Sequence, residues 1–148
     1  MAWRSETRVL RQEIEAAIAS DVKMNLNGQD LKGLDLSGLD LAGFDFSYAT
    51  LDGAKFVGSV LDHAILWSAM ARNADFSGAK LRGANLGTAN LAGSNFRGAD
   101  LSGASLLGAT LDGADLSGAD LRGCQLQNAI IGGAIHDTST LWPSEFKP

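Results

Sequence analysis

The side chains best suited to catalysis are two histidines, His63 and His136, and a single cysteine, Cys124. A histidine beside a carboxylate, as in the pair Asp62 and His63, can act as a general base, and a cysteine can act as a nucleophile or metal ligand. Catalysis needs such groups to converge, yet the two histidines lie far apart in sequence and have no evident partner residues. One cysteine can form neither a disulfide within the chain nor a cysteine-based metal site. We therefore predict that the protein is not an enzyme, with no catalytic residue, no metal site and no cofactor.

Composition and charge exclude several further classes of protein. The chain has 148 residues, of which 45% are apolar, enough for the core of one domain. Its net charge is −5, whereas proteins that bind nucleic-acid phosphates usually carry a basic surface. No window approaches the roughly 18 apolar residues of a membrane-spanning helix, and charges throughout residues 1–20 argue against a signal peptide. We expect a cytoplasmic protein that binds neither nucleic acid directly nor a membrane, and its single cysteine fits a reducing compartment.

A five-residue repeat organises most of the chain. Every fifth residue from Leu26 to Ile131 is apolar, which makes 22 central positions, and 21 of these are Leu, Phe or Ile. From Ala49 onward, the residue two places before each centre is small and usually Ala. Two places after the centre lie 16 of the 18 glycines. The register never shifts, so the repeat forms one continuous array.

The period of five limits the possible backbone structures. A continuous α-helix would distribute the central residues around its whole surface, and a flat strand would place them alternately on its two faces. A chain that turns a corner after every five residues instead keeps every central residue inside. Glycine after the centre fits such a corner because it adopts a positive φ without steric cost. We therefore predict that the small residues, including Cys124, point inward and that His63 occupies an exposed corner.

Five segments carry a family resemblance: ADFSG at 74–78, ANLGT at 84–88, ADLSG at 99–103 and 114–118, and ADLRG at 119–123. They resemble the pentapeptide-repeat family, whose pattern is A-[D/N]-[L/F]-[S/T/R]-G. The resemblance implies an all-β solenoid, a right-handed quadrilateral parallel β-helix with four pentapeptides in each coil. On that basis residues 24–133 would form about 5.5 coils in a rod about 26 Å tall, at the usual strand spacing.

The two ends of such a rod need caps, because they expose strand edges and core. Residues 3–22 have the pattern of an amphipathic helix, in which Trp3, Leu10, Ile14, Ala17 and Ile18 form one apolar stripe and the charged residues, Arg11 among them, lie off it. The predicted organisation is an N-terminal helical cap at 1–23, the repeat at 24–133 and a C-terminal capping tail at 134–148. The aromatic residues of that tail are expected to fold over the last coil, and its spacing resembles the tails of some bacterial members of the family.

Four pentapeptides per coil would stack residues that are twenty apart, which sorts the outward side chains into four faces. The face around centres 26, 46, 66, 86, 106 and 126, here called the low-charge face, has one charged residue, Asp45. Exposed apolar groups often mark contact surfaces, so four residues on it are candidates for partner binding: Tyr48, Ile65, Trp67 and Leu107. Two alternatives stay open, namely tolerated sequence drift and a local distortion near Ala71 that turns Trp67 inward.

A second face suggests a different partner. Asp40, Asp62, Asp100 and Asp120 share it, and some proteins of the resembling family mimic DNA and bind the type II topoisomerase gyrase. However, Lys80, Arg82 and Arg122 interrupt these carboxylates, and the repeat region carries 11 acidic and 7 basic residues. The favoured prediction is therefore a non-catalytic scaffold that binds an unidentified protein partner, either as a monomer or as an end-to-end dimer. A DNA mimic that modulates gyrase is the alternative.

Overall fold

The computed structural model describes residues 9–148 and contains one helix in that range, α1 (Arg11–Ala19). The described residues form no continuous strand, but isolated parallel β-bridges run from Asn25 to Leu141. Each bridge joins residues twenty apart, except that the last joins Asp120 to Leu141. Four pentapeptides therefore complete one coil, and the fold is the predicted right-handed quadrilateral β-helix with an N-terminal helical cap.

The coils are joined by a regular set of backbone hydrogen bonds, which one repeat unit illustrates. The central Leu91 N–H donates to the Thr110 carbonyl at 2.8 Å, and the Gly93 N–H donates to the Asp112 carbonyl at 2.8 Å. In the other direction, the Asn90 N–H donates to Ala69 in the preceding coil at 2.9 Å. Within the unit, the Ser94 N–H closes a turn on the Leu91 carbonyl at 3.1 Å. Each coil thus provides hydrogen-bond partners for both of its neighbours.

The corner position has a positive φ in every coil except at Gly133, the last corner of the repeat. Fifteen of the sixteen glycines in this column adopt it, at φ between 63° and 73°, and Gly133 is the exception. The residues that replace glycine adopt the same conformation, at φ between 54° and 62°: Tyr48, His63, Ser68, Asn73, Thr88 and Asn128. A left-handed conformation costs an ordinary residue about 1–2 kcal/mol, so the coil geometry imposes the corner whichever residue stands there.

The core is a filled column along the rod axis. The first twenty central residues, Leu26 to Leu121, are fully buried, while Leu126 and Ile131 are half-buried at the open end. Phe56, Phe76 and Phe96 stack on one another with ring centroids 4.9 and 4.8 Å apart. Among the described residues, every buried side-chain nitrogen or oxygen has a hydrogen-bond partner.

Helix α1 covers the first coil with a different set of residues from the predicted stripe. Ile14 is fully buried and Ile18 packs against the core, as expected, but Leu10 is 51% exposed because it precedes the helix as its N-cap. Val9 packs against the core in its place. The predicted contribution of Trp3 falls outside the described residues.

Arg11, predicted to lie off the packed stripe, points at the rod instead. Its guanidinium donates hydrogen bonds to the Asp35 carbonyl at 2.9 Å and to the Ser37 carbonyl at 3.2 Å. In later coils the equivalent carbonyls accept backbone N–H groups from the coil before. For example, the Lys55 carbonyl accepts the Leu36 N–H, and the Val57 carbonyl accepts the Gly38 N–H. The first coil has no such predecessor, so Arg11 supplies the donors for these two carbonyls.

The C-terminal tail closes part of the opposite end. Trp142 packs against the core, with its ring centroid 5.4 Å from His136 and 5.0 Å from Phe146. The Thr140 hydroxyl donates to the Leu116 carbonyl at 2.9 Å, which fixes the tail to the preceding coil. Division of the chain at 1–23, 24–133 and 134–148 stays a proposal, and the β-bridges extend beyond its second boundary to Leu141.

Candidate functional site

The low-charge face is a continuous surface built by stacked bridges. Asp45, Ile65, Asn85, Ser105 and Gln125 follow one another along the rod, each paired with the next. The four candidate residues on this face all reach solvent, with exposed fractions of 59% for Tyr48, 38% for Ile65, 37% for Trp67 and 36% for Leu107. The regular coil geometry therefore brings all four to one side of the rod.

Trp67 lies against the next coil at a position that has no side chain. Residue 87, twenty places later, is Gly87, and a Cβ atom added there would overlap the indole ring. The β-bridges continue without interruption through Ile65–Asn85 and Met70–Asn90, so the alternative of a local distortion that buries Trp67 is wrong. The ring is instead supported on one side by the Gly87 backbone and open to solvent on the other.

Hydrogen bonds hold the polar groups around Trp67 in place. The Asn85 Oδ1 atom accepts the Gly87 N–H at 3.0 Å, and the hydroxyls of Ser68 and Thr88 are 2.6 Å apart across two coils. At the N-terminal end of the face, the Asp45 carboxylate accepts the Ser47 N–H at 2.8 Å. Hydrogen bonds from Ser47 lower the pKa of Asp45 below its ordinary value, so this one charge of the face persists to lower pH than that of a free aspartate.

The corner column of the low-charge face departs most often from glycine. Four of its positions hold Tyr48, Ser68, Thr88 and Asn128, all at positive φ. Tyr48 is the notable case, because a bulky aromatic residue at φ 60° is strained and lacks the local hydrogen bonding that makes Asn tolerable there. Strain of this kind persists at functional positions more often than elsewhere.

The acidic face differs in that its carboxylates are largely paired. Arg82 lies 3.2 Å from Asp62 and 3.7 Å from Asp100, and Arg122 lies 2.7 Å from Asp120. Hydrogen bonds from the Arg122 side chain lower the pKa of Asp120. Asp40 accepts the Ala42 N–H at 3.1 Å. This face therefore presents alternating charges along the rod.

The residues considered first for catalysis do not converge. His63 is an exposed corner residue whose ring lies over Gly83, and His136 is exposed beside Trp142 at the C-terminal end. Within residues 9–148, no group of three His, Cys, Asp or Glu side chains is placed to hold a metal ion. Cys124 is buried in the small-residue column, where its thiol donates to the Leu101 carbonyl at 2.8 Å.

Cys124 is expected to react slowly with thiol reagents in the folded protein. Burial raises the pKa of its thiol to about 12, so the reactive thiolate forms in the unfolded chain near pH 9 but not in the folded one. Folding stability should accordingly fall as pH rises above about 9, because only the unfolded state releases the proton there. Labelling followed by mass spectrometry, with and without denaturant, measures this difference, and fast native labelling would place the thiol outside the core.

Two residues with clear roles were missed by sequence reasoning. Gly87 supports Trp67, and the signal for it was present, because Gly87 and Gly132 are the two glycines outside the corner column. Arg11 supplies hydrogen-bond donors to the first coil, and no sequence pattern marked it, since its targets are two backbone carbonyls. Both roles depend on residues twenty or more positions away.

A comparison with solved structures finds several similar pentapeptide repeat proteins. A pentapeptide repeat protein from the Arabidopsis thaliana thylakoid lumen is 28% identical, with a TM-score of 0.58, over 86% of this chain and 80% of that one. The cyanobacterial protein Rfr23 from Cyanothece 51142 is also 28% identical, with a TM-score of 0.47, over 78% and 88% of the two chains. QnrB1, a plasmid-mediated fluoroquinolone resistance protein, is 19% identical with a TM-score of 0.36, over 77% and 75%.

The part of the chain that the structure describes has no helix long and apolar enough to cross a membrane. No curated protein sequence matches the chain. A family model described as pentapeptide repeats, however, matches it over residues 49–87, 72–108 and 89–128. Together these segments cover more than half of the sequence and coincide with the coils whose bridges, corners and core are described above. With its sequence pattern and its coil geometry in agreement, the chain belongs to the pentapeptide-repeat family.

Proposed function

We propose that the protein is a non-catalytic interaction scaffold that binds a protein partner through the low-charge face. The observation that carries this proposal is Trp67, a solvent-exposed indole supported from beneath by Gly87. A large aromatic side chain that is already held in place loses little conformational freedom on binding, and Trp and Tyr are the residues most enriched among the dominant contacts of interfaces.

The surroundings of Trp67 support the same interpretation. Ile65 and Leu107 add exposed apolar surface on the same face, and Tyr48 adds a second aromatic group at a strained corner. Apart from Asp45, the face has no charge to desolvate when a partner covers it. Val57 and Met70 are exposed apolar residues on other faces. They lack this combination of aromatic groups, apolar surface and low charge, so they can serve as controls.

A pull-down from the native host with tagged protein tests the proposal. The double variant Trp67→Ala plus Tyr48→Ala should lose the partner, since truncating a dominant interface residue costs about 2 kcal/mol or more, or some thirtyfold in affinity. Gly87→Ala should weaken binding while leaving Trp67 in the sequence, because the added Cβ displaces the ring. Val57→Ala truncates a smaller exposed apolar side chain on another face and should bind like the wild type.

Equal recovery of every partner by the double variant and by Val57→Ala would overturn the proposal. Gyrase modulation through Asp40, Asp62, Asp100 and Asp120 is the alternative prediction, and pairing of three of these carboxylates with arginine weakens it. A supercoiling assay separates the two. Inhibition of gyrase, or protection against a fluoroquinolone, that survives in the double variant would favour DNA mimicry over the low-charge face.

A further inference from the structure

At the C-terminal end of the rod, the backbone of residues 124–128 forms an open edge where the last coil begins. One coil earlier on the same face, the Leu106 N–H donates to the Gln125 backbone carbonyl at 2.8 Å, and the Gly108 N–H donates to the Gln127 backbone carbonyl at 2.9 Å. The equivalent donors of the last coil, Leu126 N–H and Asn128 N–H, have no hydrogen-bond acceptor among residues 9–148. Two parallel donors therefore point along the rod axis, away from the coils.

An acceptor stands beside these two donors. In the preceding coil, the Ala104 carbonyl accepts the Gln125 N–H at 3.1 Å, whereas the Cys124 carbonyl accepts no hydrogen bond within the described residues. The edge thus repeats the pattern by which every earlier coil binds its successor, with two donors and one acceptor in fixed order. Such an edge is a template for an additional extended strand.

The tail leaves room for that strand. A cleft of about 410 Å³ lies between the edge and the tail, lined by Cys124, Leu126, Gln127 and residues 143–146. The tail does not fill the missing strand position itself, because it folds into a turn in which the Phe146 N–H donates to Pro143 at 2.9 Å. Leu126 is half-buried and Phe146 faces the same cleft, so one inward apolar side chain would contact both.

We propose that this cleft binds an extended peptide segment of a partner protein, which adds to residues 124–128 as a further parallel rung. The coil pattern sets three requirements for this peptide. An apolar residue must lie inward over Leu126, and the carbonyls of the residues before and after it must accept the N–H groups of Leu126 and Asn128. The N–H of the residue before the apolar one must donate to the Cys124 carbonyl. Glu145 is the one charged residue that lines the cleft, so basic residues beside the apolar one fit best. The proposal does not depend on the function assigned to Trp67.

The probe is the acetylated and amidated peptide Ala-Lys-Leu-Lys-Gly, and the measurement is amide hydrogen exchange by NMR on the full chain. The peptide should slow exchange at Leu126 and Asn128 by about tenfold when the site is largely occupied, since bound amides exchange only after release. Leu106 and Gly108, already bonded, should not change. A peptide methylated on the nitrogen of the lysine before leucine should not bind, because it lacks the donor for Cys124.

Matched variants separate the possible outcomes. Glu145→Lys should weaken binding of the peptide about threefold, as expected for a partly screened ion pair. Asp112→Lys makes the same charge change on an exposed residue outside the cleft and should have no effect, as should Trp67→Ala. Absence of protection at Leu126 and Asn128 would overturn the proposal. So would protection of both amides in the free protein together with a dimeric mass, which would assign the edge to a second copy of the chain.

Discussion

Leu91→Asp should abolish the cooperative thermal unfolding of the rod at neutral pH. Leu91 is fully buried in the central column and has apolar centres in the coils before and after it. An aspartate there must either bury an unpaired carboxylate or disrupt the coil, and a buried charge without a partner costs several kcal/mol. That cost approaches the whole stability of an ordinary domain, about 5–15 kcal/mol. Circular dichroism during heating measures the effect.

Asn90→Asp is the matched control for Leu91→Asp. It introduces the same charge one residue earlier, on an outward side chain whose oxygen accepts the Ala92 N–H at 3.2 Å, and an aspartate can accept that bond equally well. Its melting temperature should stay near that of the wild type. A Leu91→Asp protein that unfolds cooperatively at the wild-type temperature would show that residue 91 does not point inward.

Phe76→Ala should lower the free energy of unfolding by about 3–5 kcal/mol, the usual cost of removing a buried phenylalanine ring. Phe76 is the middle ring of the stack with Phe56 and Phe96. Its removal therefore leaves a cavity between the other two rings, because the coil backbone keeps them in place. Phe76→Leu should cost clearly less, because leucine occupies most of the central positions. Urea denaturation of both variants measures the difference. Equal losses for the two would mean that cavity volume does not determine stability at this position.

The corner after every five residues could be predicted from the periodic residues themselves, whereas the four pentapeptides per coil and the right-handed turn were implied by the resemblance to a known family. A large apolar residue every fifth place, with a corner glycine two residues later, predicts a turn after each pentapeptide, and the structure keeps this turn even where Tyr48 or His63 replaces glycine. The residues of the N-terminal helix that pack against the rod were predicted less accurately. An amphipathic pattern locates a helix but not its first residue, and α1 begins after Leu10, which leaves that side chain exposed.

Outward side chains were harder to predict because their environment comes from neighbouring coils. Whether Trp67 points inward or rests on the surface depends on the space above residue 87, and the pairing of Asp62 and Asp100 depends on Arg82 in a coil between them. The sequence does place all these residues on the correct faces. It does not give the direction of each side chain, which a rotamer choice and one or two neighbours decide.

The twenty-residue coil determines which changes in chain length keep the surface residues aligned. Deleting a single pentapeptide keeps every remaining centre inside and every corner outside, so the core tolerates it. All residues after the deletion, however, move a quarter turn around the axis. A deletion between Trp67 and Leu107 would leave the two on adjacent sides of the rod, whereas deletion of a whole coil would keep them aligned and shorten the distance between them by about 4.8 Å. Changes in length by whole coils thus preserve a composite surface, and smaller changes create new combinations of the same side chains.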